Sequence, residues 1–563
     1  MPAIERAIYA IRKFNGFHIP IVGDIRINGR LTDYAVLALF VGTTLWFFII
    51  PFIGLAWSED ECYMALSCRN YTEQPIAMLS FYAGWVAMKV FGDQIITLRM
   101  LASVSYFIAI MIPCCYFLRK TGNRRWTMFL AVVCMALVRG REMNHYGWDA
   151  APSALESALL MLCVLYVGNP SVRKACWTGA VLGLLILARV PAGLTALPIC
   201  ALAIVWGARR AGQGRRFLMR SLALGAVMMF AAMLICALVM RGSVKGYIDS
   251  WNADNIITGH GLKDLKMGFL DHAVDDLRFI ADRYKANLPL ILTIPFLLLL
   301  DRKSRLVPGA VMIVLLAYCK YVGRDSITAP HYFVPLALLL FPWLHNMVAK
   351  YIRRTGSIVK IDPAVIFLVI SFAFVPAVGS DRFMVRLAFF YSLPILMVGL
   401  YPWRNGILKW IMAIILLPAL LFSMLQRMNE LRCMRPEDDR LPYHKWVREF
   451  YEFDEFVEPV DTLTDRLRSE GKRFSAFGSC HYAPIYLFGE GKPFKLNAFH
   501  YYYKNETLEL LDMYTDSLDA ILVRPDDLEA MTFTEIDSEF ASRGFARTDS
   551  AGEYYVYEKI YGK

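Results

Sequence analysis

Long apolar runs dominate this chain and restrict it to a membrane fold. About 20 mostly apolar residues are needed for a helix to cross a bilayer, and such runs recur between residues 34 and 425. Of the 563 residues, 57% are hydrophobic and only 19% are charged, whereas a soluble globular chain has about 25% charged residues. This composition excludes a disordered protein and an ordinary soluble enzyme, and it predicts a polytopic membrane protein.

We predict thirteen membrane spans. The apolar stretch 175–207 is too long for one span and is interrupted at Arg189-Val190-Pro191, so it predicts two short spans that meet at this point. The predicted spans cover residues 34–57, 95–118, 126–138, 150–168, 175–188, 191–207, 219–240, 287–300, 306–322, 332–349, 362–379, 383–402 and 407–425.

The placement of Lys and Arg predicts the orientation of these spans. Cytoplasmic loops carry an excess of basic residues. With the N-terminus in the cytoplasm, the inner segments contain 25 Lys or Arg residues. Those segments are residues 1–33, 119–126, 169–176, 208–220, 301–305, 350–361 and 403–409. Thirteen spans then place the C-terminal residues outside the cytoplasm.

Charge separates the chain into two predicted domains. Residues 426–563 contain 18 Lys or Arg and 27 Asp or Glu, a net charge of −9. Since the whole chain has a net charge of +11, residues 1–425 carry +20. The basic excess belongs to the membrane region, which disfavours nucleic-acid binding. The fold class that we predict is an all-α polytopic membrane domain, 1–425, followed by a small extracytoplasmic α/β domain, 426–563.

Elements of this C-terminal domain follow from periodicity. Residues Trp446 to Glu470 and Asp526 to Arg543 have helical spacing of apolar residues, and three β-rich runs cover Arg473–Cys480, Asp519–Val523 and Tyr554–Ile560.

The first outer loop, residues 58–94, carries the strongest functional signal. It begins with the adjacent acids Glu59, Asp60 and Glu61, and it continues into an amphipathic segment, Ile76–Val90, that we predict to lie along the membrane interface. The acids indicate either a general base or metal ligand, or simply a solvated start of the loop. Arg99 then interrupts the next apolar span, where a cation usually has a partner or a function.

This order of residues resembles the GT-C superfamily of membrane glycosyltransferases, and within it the branch of protein O-mannosyltransferases and lipid A aminoarabinose transferases. The matching residues are Asp60-Glu61, Gln74-Pro75, Phe91-Gly92 and Arg99-Met100. Two further stretches resemble motifs of that family: Gly179 and Gly183 with Arg189, and His331-Tyr332 with Pro335. The sequence departs from the family at Gln74, where a second Pro is usual, and at His331, where an Arg is usual.

The resemblance implies an enzyme that transfers a sugar from a polyprenyl-phosphate donor to a hydroxyl group outside the cytoplasm, with inversion. The acceptor would be a lipid, a glycan or a protein of the cell envelope, and the location a bacterial inner membrane. In the family the first acid of the Asp-Glu pair is the general base, which implies that role for Asp60. Glu61 would orient Asp60 or bind the acceptor.

Further site residues are predicted around this loop. Asp149 is either a second acid facing Asp60 or a residue favoured at a helix N-terminus by the dipole. The candidate ligands of the donor phosphate are four cations and a histidine that opens a span from the outer side: Lys89, Arg99, Arg189, Arg324 and His331. For the cations, the alternative is that the side chain snorkels to the membrane interface. Weaker candidates for substrate binding are Glu142, His145 and Tyr332.

No cofactor is indicated with certainty. A divalent metal ion is not favoured, since the Asp60-Glu61 pair resembles the metal-independent, mannosyltransferase-like branch of the family more than the branch that uses a divalent ion. Cys62 and Cys68 share the first outer loop and are either a disulfide pair or two free thiols. The competing function is a transporter or flippase of lipid-linked sugars. A transporter is expected to have repeated halves and interrupted spans, and we find no internal repeat. A ligase that joins a preassembled glycan to lipid A would share the topology.

Overall fold

Helices form most of the described part of the apolar region in the computed structural model. The structure describes residues 17–19, 23–25, 31–51, 59–92, 95–139, 146–147, 149–251, 278, 343–344, 346–352, 354, 362–376, 385–399, 416–417, 420, 462–477, 512, 515–523, 532–551 and 554–560. A short antiparallel pair, β1 (Phe17–Ile19) and β2 (Gly23–Ile25), precedes the helices.

The described helices of the apolar region are, in chain order, α1 (Leu31–Ile49), α2 (Glu59–Arg69), α3 (Met78–Phe91), α4 (Ile95–Thr121), α5 (Arg124–Arg139), α6 (Ala150–Gly168), α7 (Val172–Ala188), α8 (Val190–Arg210), α9 (Arg215–Arg241), α10 (Val244–Asp249), α11 (Pro363–Ala373) and α12 (Val385–Gly399). Two 3₁₀ turns, Tyr71–Glu73 and Pro75–Ala77, connect α2 to α3, and Val348–Ile352 form a π-helical turn.

Within the described ranges, four helices are long and apolar enough to cross a membrane by length and composition: Ile96–Thr121, Ala150–Gly168, Val190–Arg210 and Arg215–Arg241. The predicted total of thirteen stays a prediction, because several predicted spans, such as 287–300 and 306–322, lie outside the described residues. The predicted interfacial helix is confirmed as a helix, since Pro75–Ala77 and α3 cover it. The sequence did not predict α2, which occupies the start of the first outer loop.

The predicted interruption at Arg189 is confirmed. Arg189 has an extended backbone, with φ −161° and ψ 102°, between α7 and α8. Pro191 accounts for the break because its nitrogen cannot donate to the carbonyl of Leu187 and its ring would collide with that group in a continuous helix. The chain turns so sharply that a Cβ on Gly193 would overlap the Cα of Ile186.

Close packing through glycines joins α7 to α9. A Cβ on Gly179 would overlap the carbonyl oxygen of Gly225, and a Cβ on Gly183 would overlap that of Met229. Small residues spaced four apart allow membrane helices to approach in this way. The outer surface of α9 exposes large apolar side chains, such as Phe230 and Ile235. The glycine contact therefore fixes a helix that otherwise faces the lipid.

Replacement of Gly179 by Val is expected to reduce the free energy of unfolding by at least about 1–3 kcal/mol, because the added atoms meet backbone that cannot move aside. Gly168→Val is the matched control, since no atom lies within 4 Å of a Cβ at Gly168. Denaturant unfolding in detergent measures both changes. Equal stability of the Gly179 and Gly168 variants would contradict the packing.

A small mixed sheet forms near the C-terminus. Its strands β3 (Phe474–Phe477), β4 (Ala520–Val523), β5 (Phe545–Ala551) and β6 (Tyr554–Lys559) lie in the order β3-β4-β6-β5. The β3–β4 pair is parallel and the other two pairs are antiparallel. The three predicted β-rich runs are confirmed as β3, β4 and β6.

Helical segments flank this sheet. Residues 462–469 are helical, while residues 446–461 of the predicted helix lie outside the described residues. Helix α13 (Phe533–Ser542) begins later than predicted, at a capping box in which Thr532 and Glu535 bond each other's backbone. The domain boundary at residue 425 stays a prediction.

Candidate functional site at the first loop and the α7–α8 turn

Contacts between helix ends show which ends share a face of the membrane region. Asp33 pairs with Arg125, and Arg210 pairs with Asp362. Asp33, Arg125 and Arg210 belong to predicted inner segments, and Asp362 directly follows another. We call this the basic face. The helix directions of the prediction agree with these pairs, while the assignment of this face to the cytoplasm stays a prediction.

The first loop binds to helix ends on the opposite face, which we call the site face. The Ser80 hydroxyl donates to the carbonyl of Ala188 at 2.8 Å, directly before the break at Arg189. The Tyr146 hydroxyl donates to the carbonyl of Ser80 at 2.6 Å, and that of Tyr71 donates to the carbonyl of Met240 at 3.1 Å. Three separate parts of the chain thus hold α3 and the preceding 3₁₀ turn in place, and one of them is the end of α7 at the α7–α8 turn.

Asp60 and Glu61 lie in the first turn of α2, where a helix dipole favours negative charge. Their side chains are outside what the structure describes. One turn later, Met64 is buried against Gly147, on which a Cβ would lie 2.7 Å from the Met64 sulfur. This contact brings the start of α2 towards the segment that leads into Asp149.

Helix α2 carries both cysteines of the first loop. Cys68 is buried against Gly84, where an added Cβ would overlap its sulfur. The side chain of Cys62 lies outside what the structure describes. The two alternatives for this pair, a disulfide or two free thiols, therefore both stay predictions.

Arg189 and Asp149 form a buried ion pair. The guanidinium Nη1 donates to Oδ1 of Asp149 at 3.0 Å, and the exposed fractions of the two side chains are 2% and 13%. Asp149 occupies the N-cap position of α6 but makes no side-chain capping bond there. The turn at residue 189 and the first residue before α6 are thereby joined across 40 positions of sequence.

Glu156 extends this pair into the protein, and sequence reasoning missed it. It lies seven residues after Asp149, and therefore on the same side of α6. Its Oε2 accepts a hydrogen bond from the Tyr391 hydroxyl at 2.9 Å, whereas its buried Oε1 has no hydrogen-bond partner among the described residues. Both Arg189 and Asp149 interact with it electrostatically. A lone acid inside the apolar run 150–168 was the signal that could have found it.

The other predicted phosphate ligands lie in different surroundings. Arg99 is buried near the start of α4, where its guanidinium donates to the carbonyl of Pro51 at 3.3 Å. Lys89 is exposed near the end of α3, with Nζ 6.0 Å from the centre of the Trp85 ring. Five further candidates lie outside the described residues: Glu142, His145, Arg324, His331 and Tyr332.

The arrangement places acids and a cation next to one loop on one face of a membrane protein. Such a site can accept a proton and bind a phosphate without further groups. In the part of the chain that the structure describes, no three His, Cys, Asp or Glu side chains are grouped so that they could hold a metal ion.

Comparison with known proteins gives structural neighbours but no sequence match. No protein-family model matches the sequence, and no curated protein matches it. The chain is similar to ArnT from Cupriavidus metallidurans in the crystal structure bound to undecaprenyl phosphate, with 13% identity, a TM-score of 0.43, and coverage of 95% of this chain and 99% of that one. For the apo crystal structure of ArnT from the same organism, the identity is 13%, the TM-score is 0.47, and the coverage is 94% of this chain and 98% of that one.

Proposed function

We propose that this protein is an integral-membrane glycosyltransferase that moves a sugar from a polyprenyl-phosphate donor to a hydroxyl acceptor. The observation that carries the proposal is the attachment of the Asp60-Glu61 loop to the α7–α8 turn. The bond from Ser80 to Ala188 fixes the loop directly beside Arg189, and the Met64–Gly147 contact fixes it beside the approach to Asp149. The helix that carries Asp60 and Glu61 and the turn that carries Arg189 therefore lie on the same face.

The chemistry needs few protein groups. The acceptor oxygen attacks the anomeric carbon, the bond from that carbon to the phosphate oxygen breaks, and the electron pair leaves with the polyprenyl phosphate. Attack opposite the leaving group inverts the anomeric centre. Asp60 accepts the hydroxyl proton as that oxygen attacks, and Glu61 orients Asp60 or the acceptor. Holding these groups in line supplies much of the rate enhancement.

The leaving phosphate gains negative charge, which a preorganised cation stabilises. Arg189 is the best-placed cation in the described part of the site. A guanidinium has five N–H donors in a planar fork, so the bond to Asp149 occupies only part of its capacity. The bond to Asp149 holds the guanidinium in place. Arg99, which donates to the carbonyl of Pro51, stays a further candidate ligand of the phosphate.

A transporter or flippase remains the alternative class. The break at Arg189 is a feature that a transporter could share, because interrupted spans are typical of transporters. Here the break lies at the turn between two successive helices of 17 and 21 residues, and not within one span. This placement favours the transferase, in which the turn carries a site residue.

Membranes that contain the protein are expected to transfer label from a radiolabelled polyprenyl-phosphate sugar to an endogenous acceptor. The donors tested should include a hexosyl and an aminopentosyl polyprenyl phosphate, and membranes without the protein give the background. Movement of the labelled lipid between leaflets, with no label in any acceptor for any donor, would overturn the proposal in favour of the flippase.

A further inference from the structure

A groove of about 510 Å³ lies between α4 and α6. It follows α4 from Phe107 to Lys120, a length of about 20 Å at the helical rise of 1.5 Å per residue. Met161 and Leu165 of α6 form the opposite wall. The lining is apolar except for Arg119 and Lys120, and the groove ends at the basic face, away from the Asp60 loop.

Two cations stand at that end of the groove. Arg119 and Lys120 line it and are both exposed, and the Lys120 ammonium lies 5.8 Å from the centre of the Tyr116 ring. Lys174, at the start of α7, is close enough for its charge to repel that of Lys120. The ammonium of Lys174 donates to the carbonyls of Leu165 and Asn169, which fixes it beside the groove wall.

Asp362 is a described acid near this cluster, since its charge acts on Tyr116. Its carboxylate is bonded through both oxygens to Nη1 of Arg210, so it is already paired with another cation. Among the described residues, the mouth of the groove therefore carries an excess of positive charge.

We propose that this groove binds an anionic phospholipid of the leaflet at the basic face. An acyl chain fills the apolar part along α4, and the phosphate pairs with Arg119 and Lys120. Basic pockets between membrane helices bind anionic headgroups through such pairs. The groove differs in position from the sugar-transfer site, since it opens at the other end of α4, and the inference does not depend on the proposed function.

Native mass spectrometry of the full chain in mild detergent tests the site. The probes are phosphatidylglycerol and phosphatidylethanolamine with identical acyl chains. The double variant Arg119→Gln/Lys120→Gln is expected to bind phosphatidylglycerol on the order of 30-fold more weakly than the wild type. Arg215→Gln/Arg216→Gln is the matched control, because these two cations are exposed at the same face at the start of α9 and do not line the groove.

A second pair of variants tests the apolar part of the groove. Leu165→Trp is expected to weaken binding of both lipids, because the larger side chain fills part of the groove. Leu202→Trp, at an exposed position of α8, is expected to leave binding unchanged. Equal losses in the two double variants would overturn the site, and so would equal affinities of the wild type for the two lipids. Displacement of phosphatidylglycerol by equimolar polyprenyl phosphate would overturn the choice of occupant.

Discussion

Asp60→Asn is expected to reduce the rate of sugar transfer by about 10²- to 10⁴-fold, the usual contribution of a general base. An amide has nearly the same size as a carboxylate, but it cannot accept the hydroxyl proton. Initial rates at saturating donor and acceptor measure the loss. Unfolding in detergent should show no matching loss, because the substitution keeps the shape of the side chain at the start of α2.

Glu59→Gln is the matched control for this experiment. Glu59 lies in the same helical turn and also loses one negative charge, but it is outside the Asp-Glu pair of the motif. We expect its rate to stay within a few-fold of the wild type. A fully active Asp60→Asn variant would remove Asp60 from the mechanism, and an equal loss in Glu59→Gln would show that total charge, not a specific base, is required.

Glu61→Gln separates the second acid from the first. If Glu61 binds the acceptor, its loss raises the KM for the acceptor and leaves kcat near the wild-type value. If it orients Asp60, kcat falls and the acceptor KM is unchanged. The same assay therefore distinguishes the two roles that the sequence left open.

Features that depend on local sequence were predicted well. The span 150–168 and the helix α6 have the same bounds, since one apolar run of sufficient length determines a membrane helix. The break at Arg189 followed from Pro191, whose effect on a helix is also local. The role of Gly179 and Gly183 was predicted only as a motif, because the partner backbone at Gly225 and Met229 lies on another helix.

Features that depend on distant partners were not predicted. Arg189 and Asp149 were each proposed for the site, but the bond between them was not. The position of Glu156 inside an apolar run was a local signal, but its bond to Tyr391 could not be predicted because the partner is 235 positions away. Strand β5 was missed because it is largely polar and exposed, and its pairing with β6 determines its conformation.

The Arg189–Asp149 pair is expected to affect stability and activity in different ways. Arg189→Met leaves the Asp149 carboxylate buried beside Glu156, and loss of one partner of a buried pair costs about 3–5 kcal/mol. Asp149→Leu leaves the guanidinium without this partner and is expected to cost a similar amount. The double variant removes both charges of the pair, so its stability should recover most of the loss. Denaturant unfolding of the wild type and the three variants measures the coupling.

Sugar transfer by the same four proteins then decides the role of Arg189. If Arg189 stabilises the leaving phosphate, the double variant regains stability but stays inactive, because the cation is still absent. A purely structural pair predicts that activity returns together with stability, and this result would exclude Arg189 from phosphate binding. Arg189→Lys sharpens the comparison, since it keeps the charge but loses the planar fork. We expect it to retain more activity than Arg189→Met and to bind the donor more weakly than the wild type.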